Sequence, residues 1–204
     1  MDIKRIRVGR LMTNCYVVSS DGVAFVIDPG ANADKIYDYC KESGLKVEGI
    51  LLTHGHHDHV GAVAELKSLT GAKVYCSPLT DKVANSAYNM AYEMGETPNN
   101  FEVDVHVNDG EHISIGDMTI TAIATPGHTS GCTCFMIDGN IFSGDTLFQT
   151  SYGRTDLPTG SFATLEKSIK KLFNLQGDYK VHPGHGFSTT LDSERKHNII
   201  NFND

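Results

Sequence analysis

The run Val47-Glu48-Gly49-Ile50-Leu51-Leu52 leads straight into Thr53-His54-Gly55-His56-His57-Asp58-His59-Val60-Gly61-Ala62. The first half reads as a strand buried on both faces. The second half is a polar turn at that strand's end, where active sites gather in layered α/β folds. Four candidate ligands, His54, His56, Asp58 and His59, fall within six residues. Imidazole and carboxylate together suit zinc, iron or manganese. A helix over this stretch would put His54 and His56 on different sides. A loop is therefore expected, turning His54 and His56 toward one ion and Asp58 and His59 toward another.

Three further places repeat the pattern. Thr125-Pro126-Gly127-His128, Ser143-Gly144-Asp145 and His182-Pro183-Gly184-His185-Gly186 each follow an apolar run. Each sets a ligand-type side chain beside glycine, where the backbone can approach closely. A solvated His-rich loop explains one such coincidence and not four, so the pattern predicts a metal site.

Strands are predicted at Ile3–Val8, Tyr16–Ser19, Val23–Ile27, Val47–Leu52 and Lys73–Cys76, with Ser20-Asp21-Gly22 as a hairpin turn. Two more hairpins are expected, at His112–Ile115 with Met118–Ala124 and at Cys132–Ile137 with Asn140–Phe142, then a strand at Tyr179–His182. Helices are predicted at Asp34–Ser43, Gly61–Leu69, Ser161–Phe173 with a Ser161 N-cap, and Ser193–Ile200. Ser77–Asn100 is polar, and its aromatic and Met positions fall two apart, which suits no single helical face. It reads as a helical insertion at about 77–100 that caps the domain, with a lid over the site as the alternative. Two strand-rich halves, each followed by a helix, suggest two packed sheets with helices outside.

The 204 residues suit one domain over 1–204, able to bury a core without staples. The net charge of −8 argues against nucleic acid and anionic membranes as partners. Five cysteines, an odd count with no C-x-x-C pair, fit reduced thiols in a cytoplasmic protein. Cys132 and Cys134 are expected to share one face of a strand. The N-terminal stretch lacks the apolar core of a signal peptide, and no run approaches the length of a membrane span.

His54-x-His56-x-Asp58-His59, then His128, Asp145 and His185, resembles in order and spacing the metallo-β-lactamase superfamily, over nearly the whole chain. The resemblance implies a four-layer αββα sandwich and a binuclear centre. Carried over residue by residue, it puts His54, His56 and His128 on a first ion and Asp58, His59 and His185 on a second, with Asp145 bridging. The ions are divalent, zinc first, with iron or manganese as alternatives. Asp28, before Pro29-Gly30, matches a position that orients ligands. Asp58 is expected also to orient the nucleophile. His57 takes the variable place in the motif, and His182, His106, His112 and His197 match no ligand position.

Within the superfamily, Gly144-Asp145-Thr146-Leu147-Phe148 and Gly153-Arg154-Thr155-Asp156-Leu157 are most similar to glyoxalase II-like enzymes of the short bacterial form. The implied activity is hydrolysis of a small-molecule thioester, S-lactoylglutathione or a relative, to a carboxylic acid and a thiol. Two features depart from glyoxalase II proper. Only about 19 residues follow His185, too few for its helical domain. Arg154 and Asp156 stand near its usual Lys and Tyr, leaving Arg154 to hold an anionic substrate group. The nearest rival is a mononuclear iron persulfide dioxygenase, which shares the Gly-Arg-Thr-Asp element. A β-lactamase ranks lower, since such enzymes are exported and commonly carry Cys at the position of Asp145. A nuclease is disfavoured by the acidic charge. A non-enzymatic metal-binding module is the alternative of a different class, disfavoured because an open coordination position is a catalytic pattern.

Overall fold

The computed structural model describes residues 1–98 and 100–200. Asn99, inside the expected insertion, and residues 201–204 of the expected domain lie outside that description.

The first sheet holds β1 (Asp2–Val8), β2 (Thr13–Ser20), β3 (Val23–Ile27), β4 (Lys46–Leu51), β5 (Lys73–Cys76) and β6 (Val105–His106), in that order. β1, β2 and β3 pair antiparallel and the rest pair parallel. The β2–β3 hairpin turns at Asp21 (φ 47) and Gly22 (φ 78), the two left-handed residues that a type I′ turn needs.

The second sheet is built from β7 (His112–Ile115), β8 (Met118–Ala124), β9 (Thr133–Ile137) and β10 (Asn140–Gly144). After a small ribbon of β11 (Leu147–Phe148) and β12 (Ser151–Tyr152), it is completed by β13 (Lys180–Pro183) and β14 (Thr189–Thr190). Its order is β14-β13-β10-β9-β8-β7, with β13 parallel to β10.

The helices are α1 (Ala33–Glu42), α2 (His57–Val60), α3 (Val63–Thr70), α4 (Pro78–Ala84), α5 (Phe162–Phe173) and α6 (Leu191–His197). Strand alternation sends side chains to both faces of each sheet, and the buried residues form three clusters accordingly. Val17, Val26, Ile50 and Val74 pack beneath Ile36 of α1 and Leu66 of α3. Tyr16, Val18, Phe25 and Leu51 meet Ile120, Phe135 and Phe142 between the sheets. Ile123, Ile141 and Val181 pack against Leu165, Ile169 and Leu172 of α5. These layers run helix, sheet, sheet, helix, the expected αββα sandwich.

Local expectations fail in four places. Asp58 and His59 lie on the helical turn α2 rather than in a loop, with His56 as its extended N-cap (φ −71, ψ 147). An acidic side chain in a first turn is favoured by the helix dipole. The following helix starts at Val63, two residues later than expected. The last helix runs Leu191–His197 because the Thr190 side chain caps it by accepting from Ser193 N. Cys132 lies before β9, so it does not share a strand face with Cys134, although both are buried. The segment after β5 carries α4, capped by Ser77, and two short 3-10 turns at Ala87–Asn89 and Tyr92–Met94. Among the described residues, no helix is long and apolar enough to cross a membrane.

Candidate metal centre

The site lies where strand ends of both sheets converge. β4 delivers Thr53 to His56, and α2 carries Asp58 and His59. The β8–β9 connection carries His128, the end of β10 leads to Asp145, and the end of β13 leads to His185. Sequence positions more than 120 apart thus meet: His59 Nε2 is 3.3 Å from His185 Nε2.

Two donor groups form around Asp145. His54, His56 and His128 offer one ligand atom each, all within 4.8 Å of one another, and Asp58, His59 and His185 do the same. Asp145 touches both: Oδ1 is 3.4 Å from His59 Nε2, and Oδ2 is 3.7 Å from both His128 Nε2 and His185 Nε2. Gly184 closes the gap behind it. A side chain there would collide with Asp145 Oδ1 and His59 Cε1.

The donors fit a cation. His54 Nε2 and Asp145 Oδ1 are buried without a hydrogen-bond partner. Such groups are costly unless something satisfies them. His128 Nδ1 donates to the Arg154 carbonyl at 2.7 Å, which leaves its Nε2 a lone pair facing His56 Nδ1 at 2.9 Å. Burial, then the neighbouring imidazoles, pushes His54 well below its ordinary value, and burial with His128 lowers His56 to about 3. His54 and His56 are therefore neutral and ready to coordinate.

The second group has the opposite electrostatics. Burial alone would lower His59, but the carboxylates of Asp58, Asp145 and Asp28 outweigh it and raise the imidazole to about 10. Burial likewise opposes, and the Asp58 contact overcomes, an upward shift of His185. Burial would raise Asp58, yet His59 and His185 hold it well below the usual carboxylate range. Asp58 Oδ2 lies 3.1 Å from His185 Nε2.

Asp28 underlies both groups. Its carboxylate accepts from Thr53 N (2.8 Å), Thr53 Oγ1 (2.6 Å) and His59 Nδ1 (2.8 Å). That last bond turns His59 Nε2 toward the centre, the usual role of a carboxylate behind a metal-ligating histidine. Thr53 Oγ1 is also 3.1 Å from His54 Nδ1. Asp28 itself has φ 52, a left-handed conformation that Asp tolerates better than most side chains and that clusters at functional sites. Geometrically Asp28 also makes a third donor group with His54 and His59, but its oxygens are already engaged.

Residues outside the expected set contribute as well. Thr13 Oγ1 donates to Asp58 Oδ2 at 2.9 Å, and Thr53 links Asp28 to His54. Thr13 offers no signal in the sequence, whereas Thr53 adjoins the motif. Arg154 sits on the surface with its guanidinium forked on Asp156, two bonds of 2.7 Å. The remaining histidines are bonded elsewhere: His182 to Asn140, His106 to Asp81, His112 to Thr121 and His197 to the Ser193 carbonyl. His57 is buried beside this centre, and its Nδ1 has no partner.

Residues 8–185 match the family described as the metallo-beta-lactamase superfamily. The chain belongs to that superfamily. It is 35% identical over 209 residues to a protein of Haemophilus influenzae named hydroxyacylglutathione hydrolase GloC, covering 97% of both chains. Among solved structures, it resembles the B3 metallo-beta-lactamase BLEG-1 with a TM-score of 0.92 and 33% identity, covering 97% of this chain and 98% of that one. It also resembles TTHA1623 in a di-iron-bound form, with a TM-score of 0.88 and 34% identity over 96% of this chain and 98% of that one. The superfamily fold expected from the motif order is thus the fold observed.

Proposed function

We propose that the protein is a binuclear metal-dependent hydrolase of thioesters, glyoxalase II-like, acting on S-lactoylglutathione or a related small molecule. The observation that carries it is the pair of donor groups sharing Asp145, with buried lone pairs that lack any other partner. His54 Nε2, His56 Nδ1 and His128 Nε2 would hold one divalent ion. Asp58, His59 Nε2 and His185 Nε2 would hold the other, with Asp145 reaching both. Zinc suits the donors best, and iron or manganese is compatible; the di-iron form of TTHA1623 supports iron.

Two such ions, when bound, make water acidic enough to supply hydroxide near neutral pH and polarise a carbonyl. The chain's own residues do the rest. Asp28 and the Arg154 carbonyl fix the tautomers of His59 and His128, so their Nε2 atoms face the centre. Asp58, held by Thr13, is placed to accept a hydrogen bond from the attacking water and orient it. A thiolate leaves readily, so no further general acid is required. Arg154, at the rim, is the candidate for an anionic group of the substrate. The acidic chain suits a small-molecule partner rather than nucleic acid, and its five free, buried cysteines suit a reducing, cytoplasmic setting.

The test is metal analysis of freshly purified protein together with hydrolysis of S-lactoylglutathione. Close to two ions per chain and thioester turnover are expected. One ion or none after metal-replete expression, or oxygen uptake with a persulfide and no thioester turnover, overturns the reading. A β-lactam belongs in the same panel because of the likeness to BLEG-1; faster lactam than thioester cleavage would reassign the substrate.

A further inference from the structure

The first donor group is built from loops at the ends of β4 and β8, whereas the second is gathered around the start of β2. Alternate side chains of this one strand point to opposite faces. Cys15 and Val17 enter the core under α1 and α3, while Tyr16 and Val18 enter the core between the sheets. Thr13 shares the parity of Cys15 and reaches α2, donating to Asp58 Oδ2 at 2.9 Å. Asn14 and Tyr16 take the other parity and grip the segment that bears His185. Asn14 N donates to Gly184 O at 2.7 Å, and Asn14 Nδ2 donates to Pro183 O at 2.9 Å and Gly186 O at 3.1 Å. Tyr16 Oη donates to the same Pro183 O at 2.8 Å. Every hydrogen-bonding carbonyl named here flanks His185 within two residues. Asn14 meanwhile leaves its own Oδ1 buried and without a partner. An unmatched buried acceptor costs stability, so the placement of this amide is better explained by its two donations than by its contribution to the core.

We infer that Asn14 and Tyr16 are positioning residues that set the second cation site selectively, by holding the 183–186 segment and thereby His185 against Asp58. The inference rests on the two-ion reading. It assigns to β2 the choice between a one-ion and a two-ion centre, because none of these side-chain bonds reaches His54, His56 or His128. In that respect the strand is a lever separating the hydrolase reading from a mononuclear one.

The experiment is calorimetric titration of zinc into the metal-stripped full chain, comparing the natural protein with Asn14→Ala, Asn14→Asp and Tyr16→Phe. Loss of such orienting partners weakens metal binding by roughly 10- to 100-fold, and that fall is expected for the second ion alone in both Asn14 variants. Asn14→Asp is the sharper of the two. It keeps the shape and adds a negative charge, which by itself favours a cation, but it turns both donations into repulsion. Tyr16→Phe removes one of the two donors to Pro183 and is expected to act in the same direction with a smaller fall. Arg5→Ala, which removes an exposed contact to Gly186 O, is expected to give the smallest fall of the set. Equal weakening of both ions in step with a lower melting temperature would show a merely structural role, and unchanged second-ion affinity in both Asn14 variants would overturn the inference. If the natural protein binds fewer than two ions, the functional reading fails. A crystal structure of metal-free Asn14→Asp then decides the inference by itself: a displaced 183–186 segment supports it, and His185 in its present place refutes it.

Discussion

The two donor groups sit side by side and share Asp145, yet their electrostatics are opposite. His54, His56 and His128 are all but fully buried, at 0%, 4% and 3% exposure, and all are imidazoles. Nothing of opposite charge belongs to that trio, so burial keeps His54 and His56 neutral and leaves His54 Nε2 unmatched. Asp58 and His185 are more open, with side chains 16% and 29% exposed, and this group mixes carboxylate with imidazole. It satisfies itself by internal ion pairing: His59 lies between Asp28 and Asp58, and Asp58 lies against His185. The first group offers buried imidazoles with no carboxylate of its own, while the second is a network of paired acids and imidazoles. A centre with two ions need not have two equivalent sites.

The largest expected effect comes from Asp145, which touches both groups. Asp145→Ala is expected to lower kcat/KM by more than ~100-fold, beyond the loss typical of an orienting partner, and to release the second ion before the first. Equal, small effects of Asp145→Ala and the surface change His197→Ala would sink the ligand assignment.

Asp28 separates the groups less cleanly than β2 does, because it supports His59 directly and His54 through Thr53. Asp28→Ala strands a buried imidazole and a backbone amide, and breaking such a buried pair costs about 3–5 kcal/mol. Denaturant unfolding of the metal-free protein measures it. A loss below about 1 kcal/mol, the scale of an ordinary exposed pair, would show that Asp28 is not the shared support.

The contrast in charge also predicts a pH profile for the metal-free protein. His59 is raised from 6.5 to about 10 in the folded state, so its contribution is full below 6.5 and fades as pH climbs toward 10. Asp58 is depressed below its ordinary 3.8, so its contribution is full above that value and fades as acid protonates it. His54 and His56, held neutral by burial, cost stability below 6.5, where the unfolded chain takes up their protons. Thermal melts in chelator should therefore peak near pH 6.5 and decline on both sides. A melting temperature that keeps rising through pH 9, one unit short of the folded value of His59, contradicts the internal ion pairing.

The smallest effect lies outside both groups. Arg154→Ala is expected to raise KM by up to roughly tenfold through a lost charge-assisted contact, with kcat and ion content unchanged. The Arg154 group that holds His128 is its backbone carbonyl, which survives the substitution. A fall in kcat with loss of the first ion would mean that the exposed Arg154–Asp156 fork shapes that segment instead.

Read without any coordinates, the chain already discloses its strand ends, the seven ligand-type residues and the layered fold. Period-2 burial and glycine at strand ends are local signals, and a ligand's chemistry is carried by its residue type. Other features are not local. Asp58 and His59 ride on a helical turn because His56 caps it, a choice between loop and helix that four residues do not settle by pattern. The α6 start was hidden in Thr190, whose hydroxyl reaches Ser193 N only once the chain turns. Above all, Thr13, Asn14 and Tyr16 look like any strand of mixed polarity. Their roles depend on partners 45 to 172 positions away. Those partners are brought there by the packing of one sheet on the other, and only tertiary structure decides which carbonyl or carboxylate a strand's polar side chain will meet.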